Sequence, residues 1–420
     1  MNSMPKRVRI PLALLSLTAL TAACGGSDGG SGSATEEVTV WMYPVIGDPK
    51  ANADYWESLE KAYEKKYPDA KLTIEQQPWD NRDEKLATAF SGGKGPDVVV
   101  LQPDQIPQYL ANDALAPVDG AIKADKDKFL PTALDSLTHD GKAYAAPIYH
   151  TITTTLYNKK LLDQAGIKKP PATWDDIKAA APKLKAEGLA TLDYSASNEA
   201  TLNLNFYPLL WQAGGKIFSE DGKSAAFNDD KGVAALTFLT DLYEQGAIPK
   251  STLTNVNVVA DQALGKQQVA MGFTNSALDF GVAEKAWGKE NVIVGAPLTG
   301  EKQAAFGVPG ALGINADGNK EGAEQFINFM TQPDQIESLG QATGFLSPRT
   351  DVTVPTDSPY AKQLQDALSV VVPGESSPVA RQLMGILAPE IQAAMTGKKS
   401  PQEALDAAAG QADDLLARQR

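Results

Sequence analysis

Aromatic rings and polar side chains gather at the downstream ends of three apolar runs. Trp41 and Tyr43 close the run at 38–43, Trp79 and Asp80 follow 71–75, and Gln102 and Asp104 follow 97–101. Flat rings stack on C–H faces, while carboxylates and side-chain amides hydrogen-bond hydroxyl groups, each of which both donates and accepts. This combination grips polyhydroxylated rings such as sugars without reacting with them, and in a desolvated cleft an aspartate contributes more than a neutral acceptor. The equipment for covalent chemistry is sparse. His139 and His150 are the only two histidines and Cys24 the one cysteine in 420 residues, so no His-rich or thiolate metal centre is expected. No nucleophile elbow, phosphate loop or dinucleotide fingerprint occurs either, and no cofactor is required. Carboxylates are plentiful enough to form the pair that a glycoside hydrolase uses, which stands as the enzyme alternative.

The elements that must position these residues follow from periodicity. A β-branched and aromatic run at 38–43 reads as a strand. Residues 52–67 carry Tyr55, Leu59, Ala62, Tyr63 and Tyr67 at helical spacing. A strand at 71–75 and a helix at 83–90 follow, and 97–101 is a continuous apolar run of the kind buried on both faces of a parallel sheet. Such alternation defines an α/β layer architecture, in which ligands bind beyond the carboxyl ends of the strands. Trp56, Tyr63 and Tyr67 share a helix face and are assigned to the core. Beyond them lie an extended segment at 143–158, helices at 174–187, 200–212 and 230–245, strands at 269–273 and 292–296, a Gly- and Pro-rich stretch at 306–313, a helix at 320–331 and an Ala-rich helix at 400–420. The second half is expected to be the richer in helix, and no internal repeat is found. The chain is too long for a single core, so two domains of roughly 150 to 200 residues are expected.

The N-terminal residues carry an address. Lys6, Arg7 and Arg9 precede an apolar run at 10–23, the pattern of a secretory signal and shorter than the roughly 20 residues of a membrane span. The run ends at Ala22-Ala23-Cys24, and 25–33 is a Gly- and Ser-rich tether. A lone Cys after small residues at the end of a signal resembles the lipobox of bacterial lipoproteins, although Thr21 stands where that motif usually has Leu. The resemblance implies a signal peptide at 1–23, a lipidated Cys24 with its tether at 24–35, and a membrane anchor made of acyl chains. A net charge of −14 speaks against nucleic acid or anionic lipid headgroups as partners.

Six segments carry a wider resemblance: GGKGPDVVVLQPDQIPQYLANDALAPVD (92–119), YAAPIYHTITTTLYNKKLLDQAGIKKPPATWDDI (144–177), FYPLLWQAGGKIF (206–218), GKQQVAMGF (265–273), FGVPGALGINADGNKEGAEQFINFM (306–330) and the helical block 379–405. In this order they resemble the family 1 extracellular solute-binding proteins of sugar ABC importers, the maltose-binding-protein-like group. The resemblance implies an α/β, two-lobe periplasmic-binding-protein-like fold. Each lobe would be a mainly parallel sheet flanked by helices, with the ligand cleft between them. Lobe 1 is expected at 36–147 with 297–345 and lobe 2 at 148–296 with 346–420, with hinges near 147–154, Pro297 and Gly344. Some features have local physical reasons: Thr173 is placed to cap the helix that starts at Trp174, and Gly214-Gly215 to end the helix before it.

The same resemblance implies a monomeric, lipid-anchored protein facing the extracellular or periplasmic side. It would bind a mono- or oligosaccharide without catalysis and hand it to the permease subunits of an ABC importer. It places Asp104 where the family holds a sugar-binding carboxylate and puts Tyr149, His150 and Thr151 on a hinge strand facing the cleft. Trp211, Asn275, Ser276 and Asp279 join from the second lobe, and Phe306 and Arg349 from the cleft edge, with Arg381 a further candidate. Two departures bear on the ligand. Thr151 stands where many relatives are acidic, and Asn275-Ser276-Ala277 replaces a Gly-Pro-Trp turn, which speaks against a maltodextrin-like ligand. A polyamine, a metal chelate or a peptide is the non-sugar alternative, although neither clustered tyrosines nor a purely acidic site is visible.

Overall fold

The computed structural model describes residues 36–198, 201–254, 263–274, 277–355 and 358–418. Cys24, Asn275 and Ser276 lie outside them, as does the rest of the expected signal and tether at 1–35.

The first lobe is built from the N-terminal β–α alternation. β1 (Glu36–Met42) pairs in parallel with β2 (Ala70–Gln76), Val38 opposite Leu72 and Val40 opposite Ile74. On its other side β1 pairs in parallel with β3 (Val98–Leu101), all four residues of which are buried. α1 (Pro49–Lys66) starts where the Asp48 carboxylate accepts from the Ala51 amide at 2.8 Å, satisfying a helix-end donor. It presents Trp56, Leu59 and Tyr63 to the sheet. The later strand Pro309–Asn315 lies antiparallel to β3 and also pairs with Leu115–Ala116 and Ala146–His150, completing a six-stranded sheet.

The second lobe holds a four-stranded sheet of Val292–Gly295, Thr154–Asn158, Val269–Thr274 and Ala190–Leu192, in that order. Three of its four strands point the same way, and Thr154–Asn158 alone runs against them, so that the two pairings it makes are antiparallel and the pairing of Ala190–Leu192 with Val269–Thr274 is parallel. Thr154–Asn158 enters straight from the first sheet. The helices are as dense here as the pattern implied. Trp174–Ala186, Phe206–Gln212, Asp230–Glu244, Ala380–Met395 and Pro401–Ala417 bury Leu184, Leu209, Leu239, Leu387 and Leu405 in one core. Thr173 accepts from the Asp176 amide at 3.1 Å, and Gly214 turns the chain after Gln212 at φ 80°. The helix expected at 200–212 is broken into a single turn at Leu202–Leu204 and the helix Phe206–Gln212, because Asn205 adopts a non-helical φ of −125° and ψ of −84°.

The chain passes between the sheets at 151–153 and again between Gly295 and Pro309. Residues 346–351 lie against the first lobe: His150 and Leu346 exchange backbone hydrogen bonds of 2.8 and 3.0 Å, and Phe129 bridges Arg349.

Candidate ligand cleft

β3 ends in a single tight turn, Pro103–Gln105, in which the Gln102 amide donates to Gln105 Oε1 at 2.9 Å. This turn holds Gln102 and Asp104 at the carboxyl end of the sheet. Asp104 is 2% exposed, and its partners come from the other lobe. Asn203 Nδ2 donates to Asp104 Oδ2 at 2.9 Å, and Arg381 Nη2 donates to Asp104 Oδ1 and to Gln102 Oε1, each at 3.1 Å. Arg381 Nε lies 3.1 Å from Asp104 Oδ2 and 3.7 Å from Asp83 Oδ2. A second guanidinium, that of Arg82, donates to Gln102 Oε1 at 3.3 Å. Burial pushes Arg82 below the ordinary arginine range, and repulsion from Arg381 adds to the effect. Burial also opposes the charge on Arg381, but Asp104 and Asp83 more than offset it. The cluster therefore sets two cations against two carboxylates.

The aromatic candidates sit beside this cluster. Tyr43 and Trp79 stack with centroids 4.8 Å apart and planes at 27°, and the Arg82 guanidinium lies 5.2 Å from the Trp79 ring centre and 5.6 Å from that of Tyr43. Trp79 Nε1 donates to the Pro44 carbonyl at 2.9 Å. With its back held in this way, Trp79 is 41% exposed, the only exposed large hydrophobic side chain among the described residues. Burial raises the Tyr43 phenol to about 12. Asp80 is exposed beside Trp79, whereas Trp41 faces β2 and donates to Glu75 Oε2 at 2.7 Å.

The remaining predicted residues divide. On the strand Ala146–His150, Tyr149 is buried against Phe345 with centroids 4.8 Å apart. His150 is buried with Nδ1 2.8 Å from the Thr151 carbonyl, and desolvation lowers it to about 4. Thr151 Oγ1 donates to the Val308 carbonyl at 3.2 Å. Asp279 accepts from Thr274 Oγ1 at 2.6 Å, and burial raises its carboxyl to about 6. Phe306 is buried on the strand Ala305–Phe306, which pairs with Val371–Val372. Trp211 is 4% exposed within the second core, because every residue of the helix Phe206–Gln212 is buried. Arg349 stands apart from the cluster: its guanidinium donates to Asp351 at 2.8 and 2.9 Å and to the Thr331 carbonyl at 2.7 Å, and it covers the Phe129 ring.

Sequence reasoning passed over several residues of this region. Arg82 and Asp83 open α2 (Arg82–Ser91), only two residues past Asp80, and that nearness was the one available signal. Asn203 and Tyr207 gave none. Their Oδ1 and Oη atoms are buried without a protein hydrogen-bond partner, so each has capacity for a donor. Glu375 follows Gly374, where an added Cβ would come within 3.3 Å of Asn203 Oδ1; desolvation raises its carboxyl above the ordinary range. Among the described residues no group of His, Cys, Asp and Glu could hold a metal ion, and no helix is long and apolar enough to cross a membrane.

An exposed ring beside a polar cluster that draws residues from both lobes, with buried polar atoms left free to bond a guest, is the geometry of a receptor for a solute. The chain belongs to the bacterial extracellular solute-binding protein family, whose model matches residues 47–337. Its function is solute binding, and the family is one of receptors and not of enzymes. A binding protein of Brucella abortus (strain 2308) is 26% identical over 374 residues, covering 86% of this chain and 90% of that protein. The diacetylchitobiose-binding protein of Streptomyces coelicolor is 28% identical over 333 residues, covering 75% and 72%. An ABC substrate-binding protein of Listeria monocytogenes, solved in complex with cycloalternan, superposes with a TM-score of 0.76 at 25% identity, covering 91% of this chain and 99% of that one.

Proposed function

We propose that this chain binds an uncharged carbohydrate in the interlobe cleft and delivers it to the membrane subunits of an ABC importer. The observation that carries the reading is Trp79, an indole fixed from behind by Tyr43, Arg82 and the Pro44 carbonyl and left open on its other face. It flanks a cluster of amides and carboxylates, the pairing a sugar's C–H faces and hydroxyls require. The balance of Arg82 and Arg381 against Asp83 and Asp104 favours a neutral ligand, since a polyamine would want a surplus of carboxylates. The Streptomyces relative binds diacetylchitobiose and the Listeria structure holds cycloalternan, both carbohydrates.

The remaining candidates, Trp41, Tyr149, His150, Thr151, Trp211, Asp279, Phe306 and Arg349, are proposed as further ligand contacts beside Gln102, which belongs to the cluster itself, and so are Asn275 and Ser276, which lie outside the described residues. The lobes are proposed as 36–147 with 297–345 and 148–296 with 346–420, although Ile148, Tyr149, His150 and the stretch 346–351 pair with the first lobe and Leu298, Phe306 and Val308 pack in the second core. The receptor is proposed to act as a monomer held to the outer face of the membrane by acyl chains on Cys24.

The test is thermal unfolding across a panel of oligosaccharides that includes diacetylchitobiose and cycloalternan, with spermidine and a tripeptide beside them. A ligand at 100 times its dissociation constant adds about 2.7 kcal/mol of stability. A clear upward shift with at least one sugar is expected. A shift with spermidine or the peptide and none with any sugar would overturn the carbohydrate reading.

A further inference from the structure

Between β2 and α2 the chain reverses over the short stretch 77–81, and the last residue of that stretch is Asn81. Asn81 has φ 54° and ψ 26°, the left-handed region that non-glycine residues seldom enter and that asparagine tolerates better than most. It is exposed, its side chain makes no capping hydrogen bond to the helix, and its carbonyl accepts from the Lys85 amide at 3.0 Å. An asparagine at a helix entry ordinarily sits in extended backbone and caps with its side chain, as Asp48 does at φ −83° and ψ 120° before α1. At Asn81 the residue type answers to the backbone conformation instead. The consequence lies one residue on. Arg82 folds back across the turn, so that its guanidinium comes 5.2 Å from the ring centre of Trp79 and 5.6 Å from that of Tyr43, and donates to Gln102 Oε1 at 3.3 Å. Its side chain is 8% exposed there. All of these groups belong to the first lobe, on the turns that follow β1, β2 and β3.

We propose that Asn81 is a positioning residue of the binding site: its left-handed turn returns the Arg82 guanidinium to the Trp79 and Tyr43 rings and thereby fixes the angle at which the indole meets a sugar. The proposal rests on the reading of Trp79 as the stacking surface. An indole that is 41% exposed has rotamers to lose on binding, and three contacts remove them beforehand: the Tyr43 stack, the Nε1 bond to the Pro44 carbonyl and the guanidinium. The first two come from one stretch of chain, 43–44, whereas the third depends on the direction in which α2 leaves Asn81. With Asn81 in extended or right-handed backbone, the first turn of α2 would swing and Arg82 would no longer face Trp79. A lost cation–π contact of this kind weakens binding about two- to fivefold.

The experiment compares wild type with Asn81→Gly, which enters the left-handed region freely, and Asn81→Val, whose β-branched side chain is excluded from it, with Trp79→Phe as the spectral reference. Stacked rings couple their electronic transitions, so the aromatic circular dichroism that Trp79→Phe removes reports the Tyr43–Trp79 pair without any ligand. Asn81→Val is expected to lose that signal and to raise acrylamide quenching of the tryptophan fluorescence, with the amide spectrum unchanged, while Asn81→Gly keeps the wild-type spectrum. Against those oligosaccharides that stabilise wild type, from a panel with diacetylchitobiose and cycloalternan, Asn81→Val should bind about two- to fivefold more weakly and Asn81→Gly like wild type. Should Asn81→Val fail to fold, Asn81→Ala, less strained, gives the same comparison. A merely structural role would lower the melting temperature of Asn81→Val and leave its aromatic spectrum and affinity alone; that result would overturn the proposal, as would an Asn81→Gly variant that loses the signal. If no sugar binds wild type, the carbohydrate reading falls and the spectra still decide on Asn81.

Discussion

His150 should make the stability of this protein depend on pH in a window set by its burial. The ring is 2% exposed on the strand Ala146–His150, its Nδ1 is 2.8 Å from the Thr151 carbonyl, and its folded value is lowered from 6.5 to about 4. Desolvation is the larger cause, and the carbonyl only partly counters it. Below pH 6.5 the unfolded chain takes up a proton that the folded chain refuses. The contribution is thus fully present above pH 6.5 and is lost as pH falls toward about 4. The gap between these values, at about 1.4 kcal/mol per pH unit, comes to about 3 kcal/mol. Asp193 and Asp279 act in the opposite sense over part of this range, because burial raises each to about 6. A difference measurement removes them. Urea unfolding of wild type and His150→Asn, which retains a donor near the Nδ1 position, should give a stability difference that is flat above pH 6.5. Toward pH 4 that difference should swing by about 3 kcal/mol in favour of the variant. A difference that stays constant from about pH 8 to about pH 4 would refute the reasoning, because only a His150 that binds its proton equally in the folded and unfolded states gives no pH dependence.

Trp56→Ala and Trp211→Ala remove rings that are 2% and 4% exposed, and each should lower stability by about 3–5 kcal/mol in calorimetric unfolding. Trp79→Ala should leave the melting temperature much closer to wild type. It should instead weaken by about thirtyfold the binding of whichever sugar stabilises the protein, measured by titration calorimetry; undiminished affinity would remove Trp79 from the site. Gly310→Ala would put a Cβ 1.9 Å from Tyr149 Cζ, so a loss of about 1–3 kcal/mol and a displaced Tyr149 ring are expected in unfolding and crystallographic measurements. Cys24→Ser should release the protein from membranes during fractionation with ligand affinity intact, and a variant still membrane-bound after a high-salt wash would contradict the acyl anchor.

What the sequence alone determined was whatever is written locally. The apolar run that became β3 is buried on both faces, so it reads as continuous; α1 keeps its period of 3.6 because one face meets the sheet. Because those strands end where they do, the sequence pattern sets Trp79 just beyond β2 and Gln102 and Asp104 just beyond β3. The tertiary structure alone decided which residues complete the cleft. Asp104 and Arg381 are 277 residues apart in sequence and Asp104 and Asn203 are 99 apart, and nothing in an arginine's or asparagine's neighbours announces a partner at that distance. It also decided the cases in which one residue type has two fates. Trp211 and Trp79 are both tryptophans near helix ends, but every residue of the helix Phe206–Gln212 is buried, so Trp211 packs into the core, while Trp79 rests on Tyr43 with one face open. Arg349 is buried and Arg381 partly so, one folded onto its near neighbour Asp351 and the other reaching across to the other lobe. Burial and long-range pairing depend on how the lobes close on each other, and local periodicity carries no record of that.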